Sequence, residues 1–182
     1  MPLQLPAGMR QRARTGFIDP PWKFGDPLPG AKRGAVRHYE LLDVEEIAAA
    51  YDVPALMLPD SRIVLWRVSS MQREALDLLD LWGFELKAEL VWRKLTKTGK
   101  LWFGMGHQTR AAHETALIAV RGKPRRKSAS VRSVFDAPWA GHSVKPDRAY
   151  EIVRELSPGP FLELFARRPR EGWTTLGLEL EK

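Results

Sequence analysis

An α/β fold built on a mostly parallel sheet is what this sequence predicts, and two observations carry the prediction. Short apolar runs rich in β-forming residues alternate with helical patterns, and parallel neighbours need crossovers of about a helix's length. The 182 residues, 44% hydrophobic and 28% charged, hold enough apolar material for one core. Residues 1–182 are therefore read as one domain.

Thr15 to Ile18 forms the first strand in this reading, and a helix follows near Asp43, whose side chain can cap while Glu46 reaches back and Ile47 turns inward. Arg62 to Val68 is the second strand. A helix from Ser69 to Trp82 follows, with Ser69 and Gln72 as a capping box, Met71, Ala75, Leu78 and Trp82 on one face, and Gly83 as the stop. No clear helix separates Leu86–Trp92 from Thr115–Val120, so these two strands are expected to pair antiparallel as an extension at one edge. The last helix opens at Pro146 as its first residue, turns Tyr150, Val153 and Leu156 inward and ends at Ser157-Pro158-Gly159, before a strand over Phe161–Phe165. Long polar connections remain at 23–37, 95–110 and 122–141, and loops of that length carry function or are mobile.

The absence of cysteine excludes disulfides, thiolate zinc sites and cysteine nucleophiles. Cytosine carbon-5 methylation and zinc-dependent base deamination fall with them. Histidines 38, 107, 113 and 142 have no metal-binding spacing, so a metal enzyme is not expected. No apolar run reaches the roughly 18 residues that span a bilayer, and the N-terminus lacks a signal-peptide core. A cytoplasmic protein is expected.

The net charge of +7 is concentrated rather than spread. From Leu90 to Phe135 there are eleven basic residues against the single acid Glu114, a local +10, while the remainder carries −3. Lys97, Lys100, Arg125, Arg126 and Lys127 lie in the two basic loops, interleaved with Trp92, Trp102, Phe103 and Phe135. Cations that pair with phosphate, next to rings on which bases stack, point to nucleic acid.

Asp19-Pro20-Pro21-Trp22 follows directly on the first strand, at the carboxyl end where open α/β sheets bind ligands. The prolines fix the backbone and offer carbonyls without N–H donors, and Asp19 also only accepts. Such a rigid acceptor cluster suits an amine on a flat ring. The Asp19 carboxylate and the Pro20 carbonyl would hold its two hydrogens while Trp22 stacks on the ring. Contacts that strengthen as positive charge develops on nitrogen stabilise the transition state.

Phe17-Ile18-Asp19-Pro20-Pro21-Trp22, His38-Tyr39 and Leu65-Trp66-Arg67-Val68 resemble the MT-A70 family of N(6)-adenine methyltransferases. So do the later motifs, His142-Ser143-Val144-Lys145-Pro146-Asp147, Leu156-Ser157-Pro158-Gly159, Glu163-Leu164-Phe165-Ala166-Arg167 and Gly172-Trp173 before Leu176-Gly177. The resemblance implies a class I, Rossmann-like methyltransferase fold in permuted motif order, with S-adenosylmethionine as cofactor. By this analogy Asp19, Pro20, Pro21 and Trp22 are catalytic and adjoin the donor. Lys145 lies near the donor's methionine end, Glu163, Phe165 and Arg167 form the turn beneath it, and Glu179 is the candidate for its ribose. Tyr39 matches a position near the substrate and also reads as a core residue beside Ile47. His142 and Ser143 fit either a ligand contact or the turn into the helix. The chain departs from the family at Leu178, where Asn is common, and in the short run before Asp19.

Methylating a base amine requires the base out of its stack. The resemblance to small single-domain members implies a prokaryotic or phage enzyme acting on adenine in DNA. The same chemistry on RNA, or a catalytically silent binding subunit of the same fold, stand as alternatives. Relatives that dimerise make a homodimer plausible.

Overall fold

The computed structural model describes Met9 and residues 11–23, 41–104, 108–141 and 144–177. Strands β1 (Ala13–Ile18), β2 (Met57–Arg67), β3 (Glu85–Leu95), β4 (His113–Arg121), β5 (Val134–Pro138), β6 (Phe161–Leu164) and β7 (Thr174–Leu176) form one sheet. Their order is β5-β3-β4-β2-β1-β6-β7, and only β4 runs against the rest. The mostly parallel α/β fold is therefore as expected, and the antiparallel pairing of β3 with β4 holds from Glu85↔Val120 to Arg93↔His113. Strand β4 lies third from its edge. It also pairs with β2, and the outermost place belongs to β5, inside the connection read as a loop. Both β5 and β7 are short, and neither shows an apolar alternation long enough to stand out in the sequence.

Helices α1 (Val44–Ala50), α2 (Val53–Leu56) and α3 (Gln72–Leu81) cover one face of the sheet, and α4 (Asp147–Leu156) covers the other. Strand alternation serves both: Ile18 packs toward the first group and Phe17 toward α4. The expected capping box of α1 is present, with Glu46 N–H donating to Asp43 at 2.9 Å and Asp43 N–H donating to Glu46 at 2.8 Å. The box expected at Ser69 is not formed. Residues Ser69–Met71 make a 3₁₀ turn without a side-chain cap, and the α-helix begins only at Gln72. Pro146 is the N-cap of α4 rather than its first residue, in extended geometry. Tyr150 and Val153 are buried as expected, and Leu156 is half-buried. Among the described residues no helix is long and apolar enough to cross a membrane.

The face under α4 is aromatic. Phe17 stacks on Tyr150 with centroids 4.2 Å apart and meets Trp66 at 5.9 Å and Trp173 at 6.0 Å. This cluster joins β1, β2, α4 and the approach to β7, so it fixes the strand that ends at Asp19. Replacing Phe17 with Ala should cost about 3–5 kcal/mol of stability, as expected for a fully buried ring. Urea titration followed by tryptophan fluorescence would measure it, and a loss under 1 kcal/mol would deny the cluster its role.

Candidate active site

Strand order reverses at β1, with β2 on one side and β6 on the other, and the carboxyl end of such a switch point is where open α/β sheets bind ligands. Asp19 is the first residue beyond β1, and Ile18 lies in register with Leu65 of β2 and Leu164 of β6. Lys145, just before the N-cap of α4, donates its Nζ to Asp19 Oδ2 at 2.6 Å. The same ammonium lies 3.2 Å from Glu114 Oε2, and Lys94 Nζ lies 2.5 Å from Glu114 Oε1. Two carboxylates and two ammonium groups thus alternate along one chain of contacts with no net charge.

The sheet places these groups. Glu114 stands opposite Trp92 in the β3–β4 pairing, and Lys94 follows two residues on, on the same face. Trp92 and Trp66 form the floor: Lys94 Nζ sits 5.2 Å from one ring centroid and Lys145 Nζ 5.2 Å from the other. Lys145 is only 8% exposed. An ammonium so buried is tolerated because both carboxylates face it, and together they raise its pKa against the opposing effect of burial. Burial pushes the Asp19 carboxyl up while Lys145 pulls it down, and the balance lies above the usual value. Burial also pushes Glu114 up, but Lys145 and Lys94 outweigh it and hold its pKa at about 2.

The loop after Asp19 is less open than its composition predicts. Pro21 O accepts Leu42 N–H at 2.8 Å, and Pro20 O accepts Trp22 N–H at 2.9 Å, leaving Pro20 one lone pair. Trp22 offers no stacking face. It is 4% exposed and belongs to the core, with its indole N–H donating to Trp66 O at 2.9 Å. The apolar body of Trp22 gains more from the core than from solvent, and the carbonyl of Trp66 satisfies its one donor. Trp22 therefore positions Asp19 and Pro20 and is not placed to touch a substrate ring.

Beside Asp19 a cleft of about 140 Å³ is lined by Lys145, Tyr150, Glu163, Phe165 and Arg167, among others. Tyr150 donates its hydroxyl to Glu163 Oε1 at 2.7 Å, and the Arg170 guanidinium covers the Tyr150 ring at 3.5 Å. Glu163 Oε2 is buried without a hydrogen-bond partner, and burial raises the pKa of this carboxyl. Phe165 follows in the left-handed region, φ 59°, uncommon for a bulky residue, and turns the chain beneath the cleft. S-adenosylmethionine carries an ammonium, ribose hydroxyls and a carboxylate. The buried Glu163 Oε2, with no hydrogen bond and the Arg170 Nε at 3.9 Å, together with the cationic Arg167 and Arg168, fits such a group. Lys145, matched to the donor's methionine end, lines this cleft but has its ammonium engaged by Asp19 and Glu114. Tyr39, Glu179, His142, Ser143 and Leu178 lie outside the described residues.

The basic loops separate. Lys97 and Lys100 stand exposed on a tight hairpin turn beyond β3, closed by Thr96 N–H to Lys100 O at 2.7 Å, at the Asp19 end of the sheet. Arg125, Arg126 and Lys127 lie at the opposite end. Lys127 N–H reaches Leu156 O at 2.9 Å and its Nζ reaches Arg154 O at 2.8 Å, both at the C-terminus of α4. Residues 122–127 follow β4 as it descends antiparallel, so Arg125, Arg126 and Lys127 lie away from Asp19, at the other end of the sheet from Lys97 and Lys100. Trp92 and Phe135 are core residues, Trp102 stacks on Trp139 at 4.4 Å, and only Phe103 of the four interleaved aromatics is exposed, at 74%.

Sequence reasoning passed over Glu114 as a site residue. Its signal was present: a lone acid within a +10 segment needs cations close by, and its strand alternation sets it on the Trp92 face. Its pKa of about 2, against 4.5 when unperturbed, means that its stabilisation is complete above pH 4.5 and disappears as pH falls toward 2. Glu114→Gln should be less stable than the native protein at neutral pH, and the gap should close over that window. Denaturant titrations at stepped pH would measure this, and a gap independent of pH would contradict the pairing.

The MT-A70 family model matches residues 17–179, and that family draws its methyl group from S-adenosylmethionine. A Drosophila melanogaster N(6)-adenosine-methyltransferase MT-A70-like protein is 32% identical over 91% of this chain and 26% of its own length. The human N(6)-adenosine-methyltransferase catalytic subunit METTL3 is 29% identical over 91% of this chain and 28% of its own. For the human N(6)-adenine-specific methyltransferase METTL4 the identity is 28%, over 91% of this chain and 37% of its own length. The chain thus spans between about a quarter and two fifths of these relatives. With Asp19, Arg67 and Phe165 of the motifs at the carboxyl ends of β1, β2 and β6, and the family model covering most of its length, this chain belongs to the MT-A70 family.

Proposed function

We propose that this chain transfers a methyl group from S-adenosylmethionine to the exocyclic N(6) amine of adenine in a nucleic acid, with DNA as the polymer. The observation that carries the reading is Asp19 at the switch point, half-buried, with Oδ2 fixed by Lys145 and the carboxylate lining the cleft. The donor supplies a methyl on a positively charged sulfur, an electrophile that needs no further activation. The task left to the protein is the nucleophile, because the adenine amine has a lone pair delocalised into its ring. Asp19 Oδ1 accepts one N–H of that amine, and the second lone pair of Pro20 O accepts the other. Both contacts strengthen as the nitrogen becomes tetrahedral and positive. Asp19, its pKa raised by burial, is then suited to receive the surplus proton. Lys145 keeps the carboxylate aimed, and Glu114 keeps Lys145 in place. Glu163 and Arg167 serve the donor.

DNA as the polymer draws support from METTL4, which is named for adenine rather than for a nucleoside. A second reading, RNA, is favoured by the Drosophila relative and METTL3, both named for adenosine. Incubation with methyl-labelled donor and adenine-containing DNA or RNA oligonucleotides distinguishes the two. Label in neither, with salt-sensitive binding retained, would identify a silent binding subunit and end the proposal.

Asp19→Ala should lower transfer at least a hundredfold, the usual scale for a transition-state contact, and leave oligonucleotide affinity within a fewfold. Labelled transfer and fluorescence anisotropy would read the two quantities, and a comparable collapse of binding would contradict the assigned role. Lys97→Gln combined with Lys100→Gln should weaken binding and lower the slope of log affinity against log salt by about 1–2. An unchanged slope would remove the hairpin from the polymer's path.

A further inference from the structure

Arg62 lies midway along β2, in register with Thr15 of β1, four residues or about 13 Å along the strands from Asp19. It is 6% exposed, yet the acceptors at its Nη1 are neutral: Ser157 Oγ at 2.6 Å and Arg125 O at 3.3 Å. Among the described residues no ion pair joins Arg62, Arg126 or Arg132 to a carboxylate. Burial and the facing Arg126 both act against the Arg62 charge and lower its pKa. A cavity of about 300 Å³ opens onto Arg62, Arg126 and Arg132, with Ser128 and Ser133 in its wall. Two further charged residues line it. Glu89 is held by Arg67 at 3.4 Å and Lys87 pairs with Glu85.

A buried guanidinium facing a second one is costly unless an anion completes the set. The carboxylate that lines the cavity, Glu89, is paired with Arg67 and not with any of these three arginines, whereas Lys145 at the other end has two carboxylates of its own. We infer that the cavity is an anion site that takes a phosphate group, held by Arg62 from its floor and by Arg126 and Arg132 from its rim. Guanidinium groups match phosphate oxygens in pairs, and the serine hydroxyls can donate to those that remain. The phosphate is either that of a nucleic-acid backbone passing this end of the sheet or a free anion. Nothing in this site draws on the chemistry at Asp19, so its failure leaves the methyl-transfer reading intact, and labelled transfer by the same preparation reports on that separately.

The experiment is a titration of the whole chain with inorganic phosphate at constant ionic strength, following the arginine side-chain Nε resonances. A saturable shift is expected, about tenfold weaker in Arg126→Gln, the scale of one charge-assisted hydrogen bond, and unaltered in Arg73→Gln, an exposed cation on α3. Arg62→Lys, which retains the charge and loses the fork, should also weaken it, and Arg126→Gln at the exposed rim keeps the test open if Arg62→Lys does not fold. A single-stranded oligonucleotide that displaces the phosphate assigns the site to the polymer, and one that leaves it bound assigns it to a free anion. No saturable shift, or one that Arg126→Gln leaves unchanged, overturns the inference.

Discussion

Lys145 is held between Asp19 and Glu114, and the organisation of the site follows from that one placement. An ammonium this buried is stable only with anions on more than one side. One anion comes from the end of β1, the other from β4, and Lys94 of β3 balances the second. The cluster therefore ties three strands and the entry to α4 together at the carboxyl end of the sheet. Strand β4, the one member running against the rest, is what brings Glu114 there: in a parallel orientation its second residue would sit at the opposite end.

The floor beneath the cluster is made of tryptophans. Trp66 and Trp92 are almost wholly buried and carry the ammonium groups above their faces, and Trp22 from the loop beyond Asp19 is pinned to Trp66 O. Rings of this size are stiff, and they leave the charged groups little freedom to turn. Asp19 is thus oriented by packing from below and by an ion pair from the side.

Much of this was legible in the sequence. Alternation marked β1 through β4 and β6, and Asp43 with Glu46 marked the start of α1 correctly. The motif after β1 pointed to its carboxyl end. What the sequence could not convey was which partner each polar atom would take. The Pro20 and Pro21 carbonyls read as free acceptors, but the turn closes on Trp22 and Leu42. Lys145 read as a donor-facing cation, yet its nearest anions are the chain's own. The two basic loops were visible as charge counted along the chain, but that count carries no direction, and the sheet sends them to opposite ends. Strands as short as β7 are defined by neighbours and not by composition.

The turn under the cleft is closed by backbone. Ala166 N–H donates to Leu176 O at 3.0 Å, and a Cβ added at Gly177 would meet Ala166 O at 2.0 Å and its amide nitrogen at 2.8 Å. Mutational tolerance is accordingly uneven over a very short stretch. Position 177 admits no side chain unless β6 and β7 separate, while its half-buried neighbour Leu176 takes part through a carbonyl that any residue possesses. A library randomised there would retain glycine at 177, where the main chain of Ala166 leaves no room, and apolar residues at 176, where the side chain also packs on the core.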